Sequence, residues 1–477
     1  MKLMKLRRII ICILILAMLL CLTACQSVNR SLPDYSENAV VYRSAWWCPD
    51  PTADEYDTYK DGNFNTVMLA NHNFLGRDNF WEQDNSVQLS RIEKENYYIG
   101  TPDGFEGETQ TDKALALAKE RDLYVILSEG GAYFDWIGHP VDVYKDFTID
   151  YSDYKETIVG LFSGDEPAVP AISERADNIE NAETAFPDVP YFCNLFPFYA
   201  DARSQLKCDS YQEYLDTYCK EFLDKLSGPR LLSVDYYPFQ GYQFTMWLYN
   251  YQLITRKMQE YDADFHAFIQ ACTASDGSFD PLTEEEVRLQ VNVALAYGAT
   301  AYSYYLYVPA GEPYLAGLVD YDGNPTDMYY HAQKANAETA SLEQAYAHYD
   351  YITTMAISDE EEDFTIGAFS PLTRDFATQI KESVILNDVT VDNRALVTLL
   401  RDKEGNEAFY VVNFFDKDDM EMEEDCTITL QFDGMKKVAV YGTTECLTGS
   451  VSTLSDHAYT CTLKPGEGAL VVPYTKD

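Results

Sequence analysis

The chain has 477 residues, 46% of them hydrophobic and 14% aromatic, and a formal charge of −43. That composition supports a large core, and more than one domain, and excludes a disordered chain. So negative a field excludes nucleic acid and anionic lipid headgroups as partners and suits a neutral ligand; it serves equally as the acidic surface of a soluble exported protein.

Lys2, Lys5, Arg7 and Arg8 precede an uncharged apolar run from Ile9 to Leu22. The run is short for a membrane span and has the layout of a signal peptide. It ends in Leu22-Thr23-Ala24-Cys25, which resembles the lipobox of bacterial lipoproteins. The resemblance implies lipidation of Cys25, cleavage before it, and a protein held on the outer face of the cell membrane by its lipid anchor alone. A plain cleaved signal and a short anchor are the alternatives. Loss of residues 1–24 removes four positive charges and no negative ones, taking the formal charge to −47. Residues 25–38 are polar and read as a tether.

From residue 39 short apolar runs alternate with helical patterns. Strands are expected at Ala39–Trp47, Phe64–Asn71, Leu123–Ser128, Ile158–Ser163 and Tyr191–Leu195. Three more are expected within "RLLSVDYYPF", "DFHAFIQACT" and "ATAYSYYLYV". Between them, Tyr211, Tyr214, Leu215, Tyr218, Cys219, Phe222, Leu223 and Leu226 recur at helical spacing. Thr283 and Glu286 are spaced as a capping box, and a last helix runs over about Thr326–Tyr346. Eight strands alternating with helices predict an α/β fold, a (β/α)8 TIM barrel over 39–348; an open doubly wound sheet shares the alternation. No Gly-rich phosphate loop follows the first strand, which favours the barrel. Beyond 349 helices cease, and "ALVTLLRDKEGNEAFYVVNFF" reads as a hairpin turning at Gly405. Residues 349–477 are therefore expected to form a smaller antiparallel β-sandwich.

Of eleven cysteines, three lie in the export segment and none forms a Cys-x-x-Cys pair, so a disulfide framework is not indicated. The six histidines lack metal-ligand spacing, and no Gly-x-Ser-x-Gly elbow occurs. No metal and no cofactor is expected. Asp320, Asp322 and Asn324 begin like a calcium loop, but Pro325 occupies the place of the turn glycine, so an Asp-Gly turn is expected.

A barrel carries its site where strands end. The strand ends supply Trp46, Asn71, His72, Glu129, Asp165, Glu166, Asn194, Asp235, Tyr236, Gln270 and Tyr305. Amides bind hydroxyls, aromatic rings stack on sugar rings, and carboxylates move protons, so a neutral oligo- or polysaccharide is the expected ligand. Trp81 and Trp136 are further ring platforms or packing residues. Cleaving a glycosidic bond needs one carboxylic acid to protonate the leaving oxygen and a second carboxylate as base or nucleophile. Glu166 is the candidate acid, and Asp165 its hydrogen-bonding support. The competing reading makes both the acidic start of the next helix.

Ser-Gly-Asp-Glu-Pro (163–167), Val234–Phe239 and Glu284–Tyr307 together resemble barrel glycosidase-like bacterial lipoproteins related to the family 42 beta-galactosidases of glycosidase clan A. The resemblance covers most of 40–345 and implies a retaining glycosidase with Glu166 as acid/base. It also implies a glutamate nucleophile at the end of the seventh strand, where this chain has Gln270. An amide cannot fill that role. Asp235 is the replacement carboxylate, ahead of Glu129 and Glu312; across a wider gap it would permit inversion, and as a structural acid it would permit neither. The functional expectation is a surface-anchored glycoside hydrolase. Its alternatives are a carbohydrate-binding lipoprotein on a degenerate barrel and another sugar-active enzyme such as a lyase.

Overall fold

The computed structural model describes residues 30–36, 38–69, 110–128, 151–241, 246–309, 313–358, 379–415, 424–442 and 450–476. Asn71, His72, Glu129, Glu312, Trp81, Trp136 and Cys25 lie outside them. No helix among the described residues is long and apolar enough to cross a membrane.

Eight strands form one parallel sheet: β1 (Tyr42–Ala45), β2 (Thr66–Leu69), β3 (Tyr124–Ser128), β4 (Ile158–Asp165), β5 (Tyr191–Leu195), β6 (Leu231–Asp235), β7 (Asp264–Gln270) and β8 (Ala299–Tyr305). Their order is β1-β8-β7-β6-β5-β4-β3-β2. The seam between β1 and β2 is bridged, because Asn65 N–H donates to Arg43 C=O at 3.3 Å and Arg43 N–H donates to Asn65 Oδ1 at 2.7 Å. The Tyr59 hydroxyl also spans it, accepting from Ala45 N–H at 2.9 Å and donating to Thr66 C=O at 2.7 Å. The sheet is thus a TIM barrel.

Strands buried on both faces need apolar residues at every position, which is why they read as continuous runs. Alternate residues divide between two cores. Val125, Leu161, Cys193, Val234, Ala267 and Tyr304 face the surrounding helices. Trp46, Met68, Ile126, Phe162, Phe192, Leu231 and Phe268 fill the barrel interior.

The helices include α1 (Ala53–Asp61), α2 (Gln110–Glu120), α3 (Val169–Ala176), α4 (Ile179–Ala185), α5 (Tyr211–Glu221), α6 (Trp247–Tyr261), α7 (Glu284–Ala296) and α8 (Asp327–Tyr346). The expected capping box forms on α7: Thr283 Oγ1 accepts from Glu286 N–H at 3.2 Å, and Glu286 Oε2 accepts from Thr283 N–H at 2.8 Å.

After α8 the chain enters strands β9 (Asp350–Ser358), β10 (Leu386–Val391), β11 (Arg394–Arg401), β12 (Glu407–Asn413), β13 (Cys426–Phe432), β14 (Lys437–Tyr441), β15 (Ser450–Thr453), β16 (Ala458–Leu463) and β17 (Gly468–Tyr474). They form a six-stranded sheet, β9-β11-β12-β17-β14-β15, and a three-stranded sheet, β10-β13-β16, paired antiparallel throughout. Met355, Phe409, Val411, Ile428, Phe432 and Val471 belong to the core between them, giving the expected sandwich. The β11–β12 hairpin turns at Gly405 with φ 84°.

Helix α7 joins the two domains. Every residue from Val287 to Ala296 is buried, because one side faces the barrel and the other the six-stranded sheet. Its polar side chains are correspondingly engaged. Asn292 donates to Gly466 C=O at 2.8 Å and accepts from the Tyr410 hydroxyl at 2.6 Å. Arg288 donates to Pro465 C=O at 3.0 Å and lies 3.6 Å from Glu338.

Candidate active site

The site begins with a defect in β4. Phe162 pairs with Phe192 and Asp165 with Asn194, but the register slips between Phe162 and Gly164. Ser163 is the extra residue. Phe162 faces the interior, whereas Ser163 bonds the Tyr191 hydroxyl at 2.7 Å and a Cβ on Gly164 would meet the Arg175 guanidinium at 3.1 Å. Two successive residues thus point outward, and the bulge re-aims Asp165 into the barrel mouth.

Glu166 comes next, and in an extended strand it would face the opposite way. Its φ is 43°, in the left-handed region. That conformation costs a residue with a Cβ roughly 1–2 kcal/mol, and it swings Glu166 back toward the mouth. The ladder holds it there, Glu166 N–H donating to Asn194 C=O at 2.9 Å. Neither acid caps the following helix: the N-cap of α3 is Ala168, without a side-chain cap bond.

Glu166 meets Asp235, which ends β6, closely enough for the two carboxyl groups to act on each other directly. Burial first, and then the Asp235 charge, push the Glu166 pKa far above the ordinary carboxylate range. Burial, with Asp165 next, raises that of Asp235 as well. Asp165 is solvent-accessible but ringed by protein, as befits a side chain in a cleft. Desolvation pushes it up to about 6, against a lowering bond from Asn194 Nδ2 at 3.0 Å. Burial and mutual repulsion thus favour a proton on the Glu166–Asp235 pair, while the Asn194 bond favours the charged form of Asp165.

A buried polar belt supports it from below. Asn194 Oδ1 accepts from Ser233 at 2.9 Å; Ser233 meets His266 Nδ1 at 2.9 Å; His266 Nε2 meets Ser303 at 2.7 Å; Ser303 meets Ser44 at 2.5 Å. These side chains cross from β5 to β1 through the barrel. Desolvation lowers the His266 pKa to about 3, so the ring is neutral. Sequence reading by strand ends missed Ser233, His266 and Ser303, which stand two or more residues before the ends. Their signal was a polar residue on the inward row of three neighbouring strands.

Gln270 ends β7 on the inward row of His266 and Phe268. Its backbone is clamped by Gln290 of α7, whose Oε1 accepts from Gln270 N–H at 2.8 Å and whose Nε2 donates to Gln270 C=O at 3.3 Å. Its own carboxamide is 0% exposed and neither Nε2 nor Oε1 has a hydrogen-bond partner; Oδ1 of Asp235, a residue 8% exposed, is likewise unpartnered.

The aromatic residues separate into two roles. Trp46 packs inward, 5.2 Å from Phe162 and 5.8 Å from Phe268 between ring centroids, as a plug under the mouth. Tyr305 stands at the rim, 5.3 Å from Tyr237, 5.8 Å from Tyr314 and 6.4 Å from Trp47. Tyr236 belongs to the outer core, with its ring 5.2 Å from that of Tyr199. The structure thus gathers Asp165, Glu166, Asn194 and Asp235 at one mouth that Gln270 and Tyr305 also face, and leaves Trp46 and Tyr236 in packing positions.

Among the described residues the ion-compatible group is His348, Asp402 and Glu404, on the β11–β12 turn beside the end of α8. Asp320 accepts from Asp322 and Asn324 N–H at 2.9 and 2.8 Å, with Gly323 at φ 81°, so that stretch is the expected turn. No disulfide forms among the described cysteines.

A GH42 beta-galactosidase structure, Gan42B, is similar with a TM-score of 0.53 at 10% identity, covering 94% of this chain and 100% of that one. A structure described as a glycoside hydrolase has a TM-score of 0.51 at 12% identity, covering 95% and 96%. A beta-galactosidase from Rahnella sp. R3 has a TM-score of 0.46 at 10% identity over 68% of this chain, which spans 59% of that enzyme's length. No protein-family model and no curated protein matches. At these identities the likeness is one of fold alone, a TIM barrel.

Proposed function

We propose that the chain is a glycoside hydrolase acting on O-glycosidic bonds of a neutral saccharide, with Glu166 as the general acid. The observation that carries this reading is the meeting of the Glu166 and Asp235 side chains at the barrel mouth, brought together by the ends of β4 and β6. A general acid must keep its proton at working pH and release it to the leaving oxygen. Burial and the neighbouring carboxyl keep the proton on the pair. The strained backbone at Glu166 brings it beside Asp165 despite their adjacency in sequence, and the aromatic rim offers faces for a sugar ring. Asp235 serves as the group that shares the proton. It does not stand across the wide gap that an inverting pair needs, roughly 6.5–9.5 Å.

The test is Glu166→Gln. Turnover of substrates with poor leaving groups should fall by about 10²–10⁴, while an activated aryl glycoside, needing little protonation, should lose less in its bond-breaking step. Unchanged turnover of both would refute the assignment. A second reading, saccharide binding without turnover, draws on Gln270 in place of a carboxylate nucleophile. Ligand binding with no cleavage of any glycoside would favour it.

We also propose that the lipobox-like segment tethers the protein outside the cell membrane through Cys25. Cys25→Ala should leave unprocessed precursor or released protein; normal processing and full membrane retention would contradict this.

A further inference from the structure

The site holds a proton donor, but among the described residues it offers no nucleophile on the opposite side of a sugar. Asp235 lies directly against the Glu166 carboxyl. Carboxyls in contact leave no room for an anomeric carbon between them, whereas a retaining pair stands about 5–5.5 Å apart to admit one. Gln270 is an amide, and its nitrogen lone pair is delocalised.

What the site does offer matches a different source of nucleophile. Asp165 is an accessible carboxyl group immediately beside the acid, fixed by Asn194. It can accept one N–H and face a positive charge. Gln270 presents a buried carboxamide with an unused N–H donor, on a backbone clamped at both its N–H and its C=O. A buried amide left unpartnered costs free energy unless a ligand completes it.

We infer, resting on the glycosidase reading above, that the substrate is a 2-acetamido sugar whose own carbonyl oxygen is the nucleophile, with Asp165 accepting the acetamido N–H and Gln270 Nε2 donating to that oxygen. In the first step the carbonyl oxygen forms a bond to the anomeric carbon as the exocyclic C–O bond breaks. The departing electron pair takes the Glu166 proton. The positive charge is then spread over a five-membered oxazolinium ring facing the Asp165 carboxylate. In the second step water attacks the anomeric carbon and Glu166 takes its proton. The ring C–O bond returns its electrons to the amide, so the configuration is retained. Glycoside and water become hemiacetal and alcohol, with no oxidant or reductant. Gln270 thus has a use that a glutamate could not serve, since a carboxylate there would repel the incoming carbonyl oxygen.

The experiment compares the full chain on p-nitrophenyl 2-acetamido-2-deoxy glucosides and galactosides, both anomers, with their 2-hydroxy counterparts. An intramolecular nucleophile predicts that at least one acetamido substrate outpaces its 2-hydroxy partner by a factor of about a hundred or more. Its rate should fall through the N-monofluoroacetyl and N-trifluoroacetyl analogues as the carbonyl oxygen loses basicity. Asp165→Asn should lower kcat on that substrate with little change in KM. Comparable cleavage of 2-hydroxy glycosides, with Glu166→Gln impairing natural glycosides more than the p-nitrophenyl ones, would overturn this inference and leave the glycosidase reading standing. Cleavage of neither series would overturn both.

Discussion

Glu166 and Asp165 are neighbours in sequence whose carboxyl pKa values are raised to different extents, and that difference makes predictions about pH. The ordinary glutamate value is 4.5, and Glu166 in the folded protein lies far above it. Between those values the native state holds a proton that the unfolded chain has released, so the site makes stability fall as pH rises. Glu166→Gln should therefore raise Tm, more at about pH 8 than at about pH 4, where both states are protonated. Equal gains at the two pH values in thermal melts would show that Glu166 is ionised in the fold. Asp165 must be charged to act, and its pKa is about 6; turnover should decline as pH falls through that value, and Asp165→Asn should erase that limb. Strand-end reading found both acids because a barrel exposes strand ends. The Ser233–His266–Ser303 belt beneath Asn194 was not legible, because a serine or histidine inside a buried strand declares no partner until register is known.

At the scale of elements, the geometry of the pair depends on the extra residue Ser163. The strand itself was legible as an apolar run, but a bulge exists only relative to the strand it pairs with, and β5 supplies that reference. Gly164 matters for the same reason, since its missing side chain makes room for Arg175 at the bulge. Gly164→Ala should force the guanidinium or the bulge to move, lowering Tm and reducing turnover by displacing Asp165. A variant with wild-type turnover and Tm would show that the bulge does not depend on this contact. Helix signals were the more readable ones, as the Thr283–Glu286 box shows, because capping is local and needs no tertiary partner.

Across the whole molecule, α7 ties the site to the β-domain. On one side Asn292 holds Gly466 and Tyr410, and on the other Gln290 clamps Gln270. The barrel and the sandwich were legible as a change from alternating strand–helix patterning to strands alone. Their junction was not, because nothing in the sequence of α7 says which of its polar residues meets the barrel and which the second domain. Asn292→Ala leaves Gly466 C=O unpaired and removes the acceptor of the Tyr410 hydroxyl, a loss of roughly 1–3 kcal/mol. Denaturant unfolding should show that loss with a single cooperative transition retained. Separate transitions for the wild-type domains would mean that the junction does not couple them.

The account rests on a proton held by Glu166 at neutral pH, and infrared difference spectroscopy reads that directly. A wild-type minus Glu166→Gln spectrum at about pH 7 should contain the C=O stretch of a protonated carboxylic acid, which a free glutamate would have lost near its ordinary value. A difference spectrum showing only carboxylate bands at that pH would mean that Glu166 is ionised and cannot be the general acid.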